Sequence, residues 1–121
     1  DGDFQMTSQE LATAAQAGAQ PIILILNNGI YGTIRAHQER HYPERVSGTD
    51  MVNPDFVALA KAYGFHSERV ETTGDFAAAF DRALTSKTGA VLDLNISPEA
   101  LTPRVTLSQM RDAALRGKER G

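Results

Sequence analysis

The spacing of apolar residues changes character along the chain, and each change marks an element. Thr7-Ser8-Gln9-Glu10 has the spacing of a capping box, so a helix is expected to start there, with the Thr7 hydroxyl accepting from the Glu10 amide and the carboxylate reaching back. Leu11, Ala14, Ala15 and Gly18 continue it as a narrow apolar stripe, and Gly18 with Pro21 supplies the stop. Pro21 to Asn27 is a continuous leucine and isoleucine run, the pattern of a central parallel strand covered on both faces. Asn53-Pro54 reads as an N-cap followed by proline at the first helical position; Phe56, Leu59, Ala60 and Tyr63 then share one face and Gly64 ends the helix. Phe65 to Glu71 reads as a short strand. Asp75 to Thr85 reads as a helix with Phe76, Ala79, Phe80, Ala83 and Leu84 facing inward, closed by Gly89. Ala90 to Ile96 is another strand, and Leu107, Met110 and Ala114 mark a last helix behind a Thr106 cap, with a polar tail from Arg116.

Strands alternating with helices argue an α/β fold, a three-layer α/β/α arrangement around a parallel sheet. The pattern is weakest between Gly29 and Val52, where Ile30 to His41 reads as helical and Tyr42-Pro43 and Ser47-Gly48-Thr49-Asp50 as irregular loop. A loop of that length tends to carry function. The sequence opens at Asp1 without a methionine, at what reads as a strand-to-helix turn, so an N-terminally truncated single domain, residues 1–121 of a larger protein, is expected.

Composition narrows the chemistry. The chain has 121 residues, 41% hydrophobic, enough for one core. Twelve Lys and Arg against fifteen Asp and Glu give a net charge of -3 with no long block of either sign, which argues against nucleic-acid binding. The absence of cysteine removes disulfides and thiolate zinc sites and fits a reducing, cytoplasmic setting. No apolar run is longer than Ile22 to Leu26, which is far short of a membrane span.

In open α/β sheets ligands bind beyond the carboxyl ends of the strands, which singles out Asp1-Gly2-Asp3 and Asn27-Asn28-Gly29. If a strand ends just before Asp1, a right-handed crossover brings both turns to one edge of the sheet. The Asp1 carboxylate, the Asn28 amide oxygen and carbonyls near Ile30 are hard oxygen donors suited to magnesium. Gly2 permits close backbone approach to a phosphate, and the amides of the helix opening at Thr7 aim positive charge at it. The expected ligand is a diphosphate held through a metal.

Asp1-Gly2, then Asn27-Asn28 after twenty-four intervening residues, resembles the Gly-Asp-Gly to Asn-Asn signature of thiamine diphosphate enzymes. The stretches Asp1 to Leu11, Asn27 to Glu39 and Tyr42 to Asp50 look like the C-terminal, diphosphate-binding domain of acetolactate synthase-like enzymes. The resemblance implies thiamine diphosphate and Mg2+ as cofactors, with Asp1, Asn28 and the Ile30 carbonyl as metal ligands. It implies diphosphate contacts at Gly2, Asp3 and the backbone around Ile30 and Tyr31, and a substrate pocket bordered by Thr33, Ile34 and His37. Ile34 stands where pyruvate decarboxylase-like relatives carry a catalytic glutamate, and His37 where biosynthetic acetolactate synthases place a tryptophan. The implied reaction is decarboxylation of a 2-oxo acid followed by carboligation. It needs the glutamate of a pyrimidine-binding domain on a second subunit of a homodimer or homotetramer, so the fragment alone is expected to be inactive.

Other readings compete with these. Asp1-Gly2-Asp3 alone is an ordinary turn, and Glu10 a helix cap. A haloacid-dehalogenase-like phosphatase would use Asp1 as nucleophile and Asp3 as general acid, but it wants Thr or Val where Gln5 stands. A noncatalytic nucleotide-binding or assembly module is a third reading. His37 and His41 lie four apart, yet Gln38 replaces the glutamate that the zincin pattern requires. Arg35, Arg40 and Arg45 read as a solvated surface or as an anion-facing rim, and Tyr31 as a cofactor neighbour or a loop anchor.

Overall fold

The computed structural model describes residues 1–118. Three strands, β1 (Ile22–Asn27), β2 (His66–Val70) and β3 (Ala90–Asn95), pair in parallel in the order β1-β3-β2. The helices are α1 (Gly2–Thr7), α2 (Glu10–Gln16), α3 (Gly32–His41), α4 (Phe56–Ala62), α5 (Thr73–Thr85) and α6 (Leu107–Lys118). The chain divides into two units: residues 1–27 with 53–96, and residues 28–52 with those from Ser97 onward.

In the first unit, side chains alternate across the sheet and build two apolar layers. On one face Ile25 and Val91 join Leu11, Phe56, Ala60 and Phe65, with Phe4 and Tyr63 packed against them. On the other, Val70, Ala90 and Leu92 meet Ala79 and Ala83, flanked by Phe76 and Phe80. Helices on both faces of a parallel sheet make the expected three-layer α/β arrangement within this unit. Gly89 turns the chain into β3 with φ of 76°; a Cβ there would lie 2.8 Å from the Pro21 carbonyl oxygen.

Four expectations need correction. The first helix begins at Gly2 and Thr7 ends it, while Glu10 accepts from the Thr13 hydroxyl at 2.7 Å instead of reaching back. The edge-on packing of Phe4 against Phe56, ring centroids 5.5 Å apart, anchors this upstream turn, a tertiary contact outside the reach of local pattern. β1 is an edge strand of the described sheet, with Leu24 and Leu26 exposed by 41% and 58%; the strand covered on both faces is β3. The cap of α4 is Asp55, not Asn53: its carboxylate accepts the Val57 and Ala58 amides, both at 3.0 Å, and a charged acceptor outcompetes an amide. The Ala58 bond, helped by Arg69, lowers the Asp55 pKa. Leu84 is exposed, one position off the inward stripe that Ala79 and Ala83 define.

The second unit holds α3 and α6. Ile30 and Asp50 form an isolated antiparallel bridge, with the Tyr31 amide donating to the Thr49 carbonyl at 2.9 Å and the Met51 amide to the Gly29 carbonyl at 2.9 Å. Thr106 caps α6 as expected: its hydroxyl accepts from the Gln109 amide at 3.2 Å and its amide donates to Gln109 Oε1 at 2.9 Å. The Ser108 amide and hydroxyl both donate to Glu99, each at 2.9 Å, and lower its pKa. Leu107 and Met110 are buried and Ala114 is half-buried. The polar tail is helical through Lys118, and its last three positions lie outside the described residues.

Candidate functional site

At the carboxyl end of the sheet, the apolar layer shared with α2 and α4 gives way to polar side chains. Asn27 follows Ile25 by two along β1, and Asp93 follows Val91 by two along β3, so alternation sets both on that same face. The Asp1 backbone nitrogen donates to the Leu26 carbonyl at 2.9 Å, beside the end of β1. Asp1 Oδ2 accepts from Asn53 Nδ2 at 2.8 Å, and the same nitrogen lies 3.0 Å from Asn27 Oδ1. Asn27 Nδ2 in turn donates to Asp93 Oδ1 at 2.9 Å, and Arg69 Nε donates to Asp93 Oδ2 at 3.1 Å. Gly2 and Asp3 sit in the first turn of α1, not in a turn ahead of the helix, and Asp3 is exposed. The helix amides near a ligand at Asp1 are therefore those of α1, where the sequence pattern had put a helix opening at Thr7.

In the second unit, Asn28 Oδ1 accepts from the Ile30 amide at 3.2 Å. An amide oxygen has a second lone pair, so this bond is compatible with ligating a cation. The bridge uses the groups flanking Ile30, on Gly29 and Tyr31, and leaves the Ile30 carbonyl out of its ladder. Gly32 is a close approach: a Cβ there would come within 2.7 Å of Leu101 Cδ2, so that side chain would have to shift, and would meet Asn28 Nδ2 in ordinary contact at 3.4 Å. Tyr31 is exposed by 47%, with its amide taken by Thr49. Thr33, Ile34 and His37 lie on the exposed side of α3, opposite Ala36 and Glu39. His37 and His41 stack with ring centroids 6.2 Å apart. Among the described residues no group of three or more His, Cys, Asp or Glu is placed to hold a metal. A cleft of about 340 Å³ opens beside Arg40, Val105, Gln109 and Met110 and includes none of the predicted site residues.

Taken by chemical type, the donors expected from the sequence, a carboxylate on Asp1 in the first unit and an amide oxygen and a carbonyl on Asn28 and Ile30 in the second, are of the kind a hard divalent cation takes. Sequence reasoning named Asn27 in the Asn-Asn pair and Asn53 as a helix cap without giving either a part in this network, and passed over Asp93 and Arg69. The signal for Asp93 was present, a lone acid inside the strand Ala-Val-Leu-Asp-Leu-Asn, because a buried charge demands partners.

An open parallel sheet with polar side chains gathered at its carboxyl ends defines a ligand-binding α/β domain. Sequence comparison places it further: residues 1–94 match the C-terminal TPP binding domain of thiamine pyrophosphate enzymes, and the chain belongs to that family, whose cofactor is thiamine pyrophosphate (thiamine diphosphate). It is 35% identical over 80% of its length to an acetolactate synthase of Arthrospira platensis. It is 36% identical over 79% of its length to the mitochondrial acetolactate synthase catalytic subunit of Saccharomyces cerevisiae. A probable acetolactate synthase large subunit of Methanocaldococcus jannaschii is 33% identical over 87% of the chain. The chain covers 17%, 14% and 18% of these relatives, less than a fifth of each. Among the described residues, no helix is long and apolar enough to cross a membrane.

Proposed function

We propose that this chain is the diphosphate-binding domain of a larger, cytoplasmic, acetolactate synthase-like enzyme, and that it grips the cofactor through magnesium. Asp1, Asn28 and the Ile30 carbonyl hold the ion, while Gly2, Asp3 and Tyr31 face the diphosphate. Thr33, Ile34 and His37 border the 2-oxo acid. When bound, thiamine diphosphate supplies the electron sink for decarboxylation and carboligation, and the protein contributes orientation and electrostatics. An apolar Ile34 offers no proton to a reacting carbon, which favours capture by an acceptor over release of an aldehyde. The pyrimidine-binding domain of a second subunit, in a homodimer or homotetramer, completes the site, so the isolated domain is inactive.

The observation that carries this reading is the bond from the Asn53 amide to the Asp1 carboxylate, made by the same nitrogen that bonds Asn27 at the end of β1, in a chain whose family binds this cofactor. Isothermal titration of the full-length protein with thiamine diphosphate tests it. Affinity is expected to require Mg2+, to fall by most of its value in Asn28→Ala, and to stay near normal in His41→Ala. Equal losses in the two variants, or tighter binding of a nucleotide than of thiamine diphosphate, would overturn it.

A further inference from the structure

We infer that Asn53 is a positioning residue for the Asp1 carboxylate, and that buried Asp93 dictates its orientation through Asn27. The inference rests on the reading of Asp1 as a magnesium ligand. Asp93 is 1% exposed and paired with Arg69, so its oxygens act as acceptors. Asn27 must then turn its NH2 toward Asp93, at 2.9 Å, which leaves its Oδ1 facing Asn53. That oxygen can only accept, so Asn53 presents its own NH2, whose two hydrogens serve Asn27 at 3.0 Å and Asp1 at 2.8 Å. The remaining Oδ1 of Asn53 accepts from Gln5 Nε2 at 2.6 Å. Flipping either amide would set donor against donor or acceptor against acceptor, so one buried acid fixes the direction of the whole relay.

The chemical type of the last member matters. An arginine touching Asp1 would cancel the charge that attracts a divalent ion, whereas a neutral amide orients the carboxylate and leaves its charge intact. Partners of this kind, one step back from a metal, typically govern affinity by about 10–100-fold.

The test measures Mg2+ affinity in the full-length protein by thiamine diphosphate titration at several metal concentrations, together with Mn2+ binding followed by electron paramagnetic resonance and the melting temperature. Asn53→Ala is expected to weaken metal affinity about tenfold, with cofactor binding restored at saturating magnesium. Asp93→Asn, which keeps shape but lets the amides flip, is expected to weaken it in the same direction by a smaller factor. Ser67→Ala removes a buried hydroxyl that donates to the Val91 carbonyl at 2.6 Å and supplies the control: a lower melting temperature with unchanged metal affinity. Metal affinity within twofold of the unmodified protein in Asn53→Ala, or an equal loss in Ser67→Ala, would overturn the inference while Asp1→Asn still abolishes metal binding. If Asp1→Asn and Asn28→Ala both bind metal normally, the assignment of the ligands fails and the relay falls with it.

Discussion

The two units of this chain are held together by different physics. In the first, Phe56, Ala60, Ala90, Val91 and Leu92 are fully buried, and its one deeply buried acid, Asp93, has hydrogen-bonded partners on both oxygens. In the second, two of the largest fully buried side chains are polar, Glu39 and Thr49, and the buried apolar residues among those described are Ala36, Pro43, Leu107 and Met110. Glu39 sits 3.6 Å from both Arg35 Nε and Arg111 Nη1, and Arg35 Nε is buried without a hydrogen bond. Apolar burial is non-directional and tolerates small shifts, whereas a buried ion cluster stabilises only while its geometry holds. On this contrast the second unit is expected to open at lower free energy than the first.

The largest effect expected on this contrast comes from the apolar side. Phe56→Ala removes a fully buried ring and its contact with Phe4 and is expected to cost about 3–5 kcal/mol, read from urea unfolding. Hydrogen exchange in that variant rises most in β1 and β3; a rise confined to α3 and α6 would break the comparison. Next comes Glu39→Gln, which keeps the shape but removes the charge between two arginines and is expected to cost about 1–3 kcal/mol. Its signature is faster exchange in α3 with little change in β3.

A smaller difference separates two segments of like sequence. Thr106→Ala removes the hydroxyl that accepts from the Gln109 amide, while the backbone bond to Gln109 Oε1 survives, and is expected to cost about 1 kcal/mol in thermal melts. Thr7→Ala, at the end of α1, is expected to change stability by less than about 0.5 kcal/mol. The last effect is electrostatic and lies on β2. Glu68 accepts two bonds from Arg82, at 2.8 and 2.6 Å, and one from His66 at 2.7 Å, and these lower its pKa to about 2. Because the folded value lies below the unfolded one, near 4.5, the stabilisation is present above that pH and is lost as pH falls toward 2. Arg82 is more than half exposed and water screens the pair, so Glu68→Gln is expected to flatten the acid limb by no more than about 1 kcal/mol. Acid titration of the melting temperature checks the sign.

Helix and strand identity was readable because it depends on neighbours a few residues away. The stripe Phe56, Leu59, Ala60 and Tyr63 and the runs at β1 and β3 lie where their periodicity put them. Asp1 and Asn28 were singled out as candidates because oxygen donors after strands carry a local signature, reinforced by family resemblance. Two segments with the same Thr-x-x-Glu/Gln spacing show where this stops: Thr106 and Gln109 make the reciprocal bonds, while Thr7 and Glu10 do not, since Phe4 packing draws the helix upstream. Asn53 tells the same story, read as a cap and found instead bonded to Asp1 and Asn27, residues 52 and 26 positions away. Sequence by itself determined the three strands, most of the helices and the apolar stripe of α4, since each follows from short-range spacing. Tertiary structure alone decided the strand order, which caps form and how the amides around Asp1 turn, because these depend on which distant groups the packed sheet brings within about 3 Å of each other.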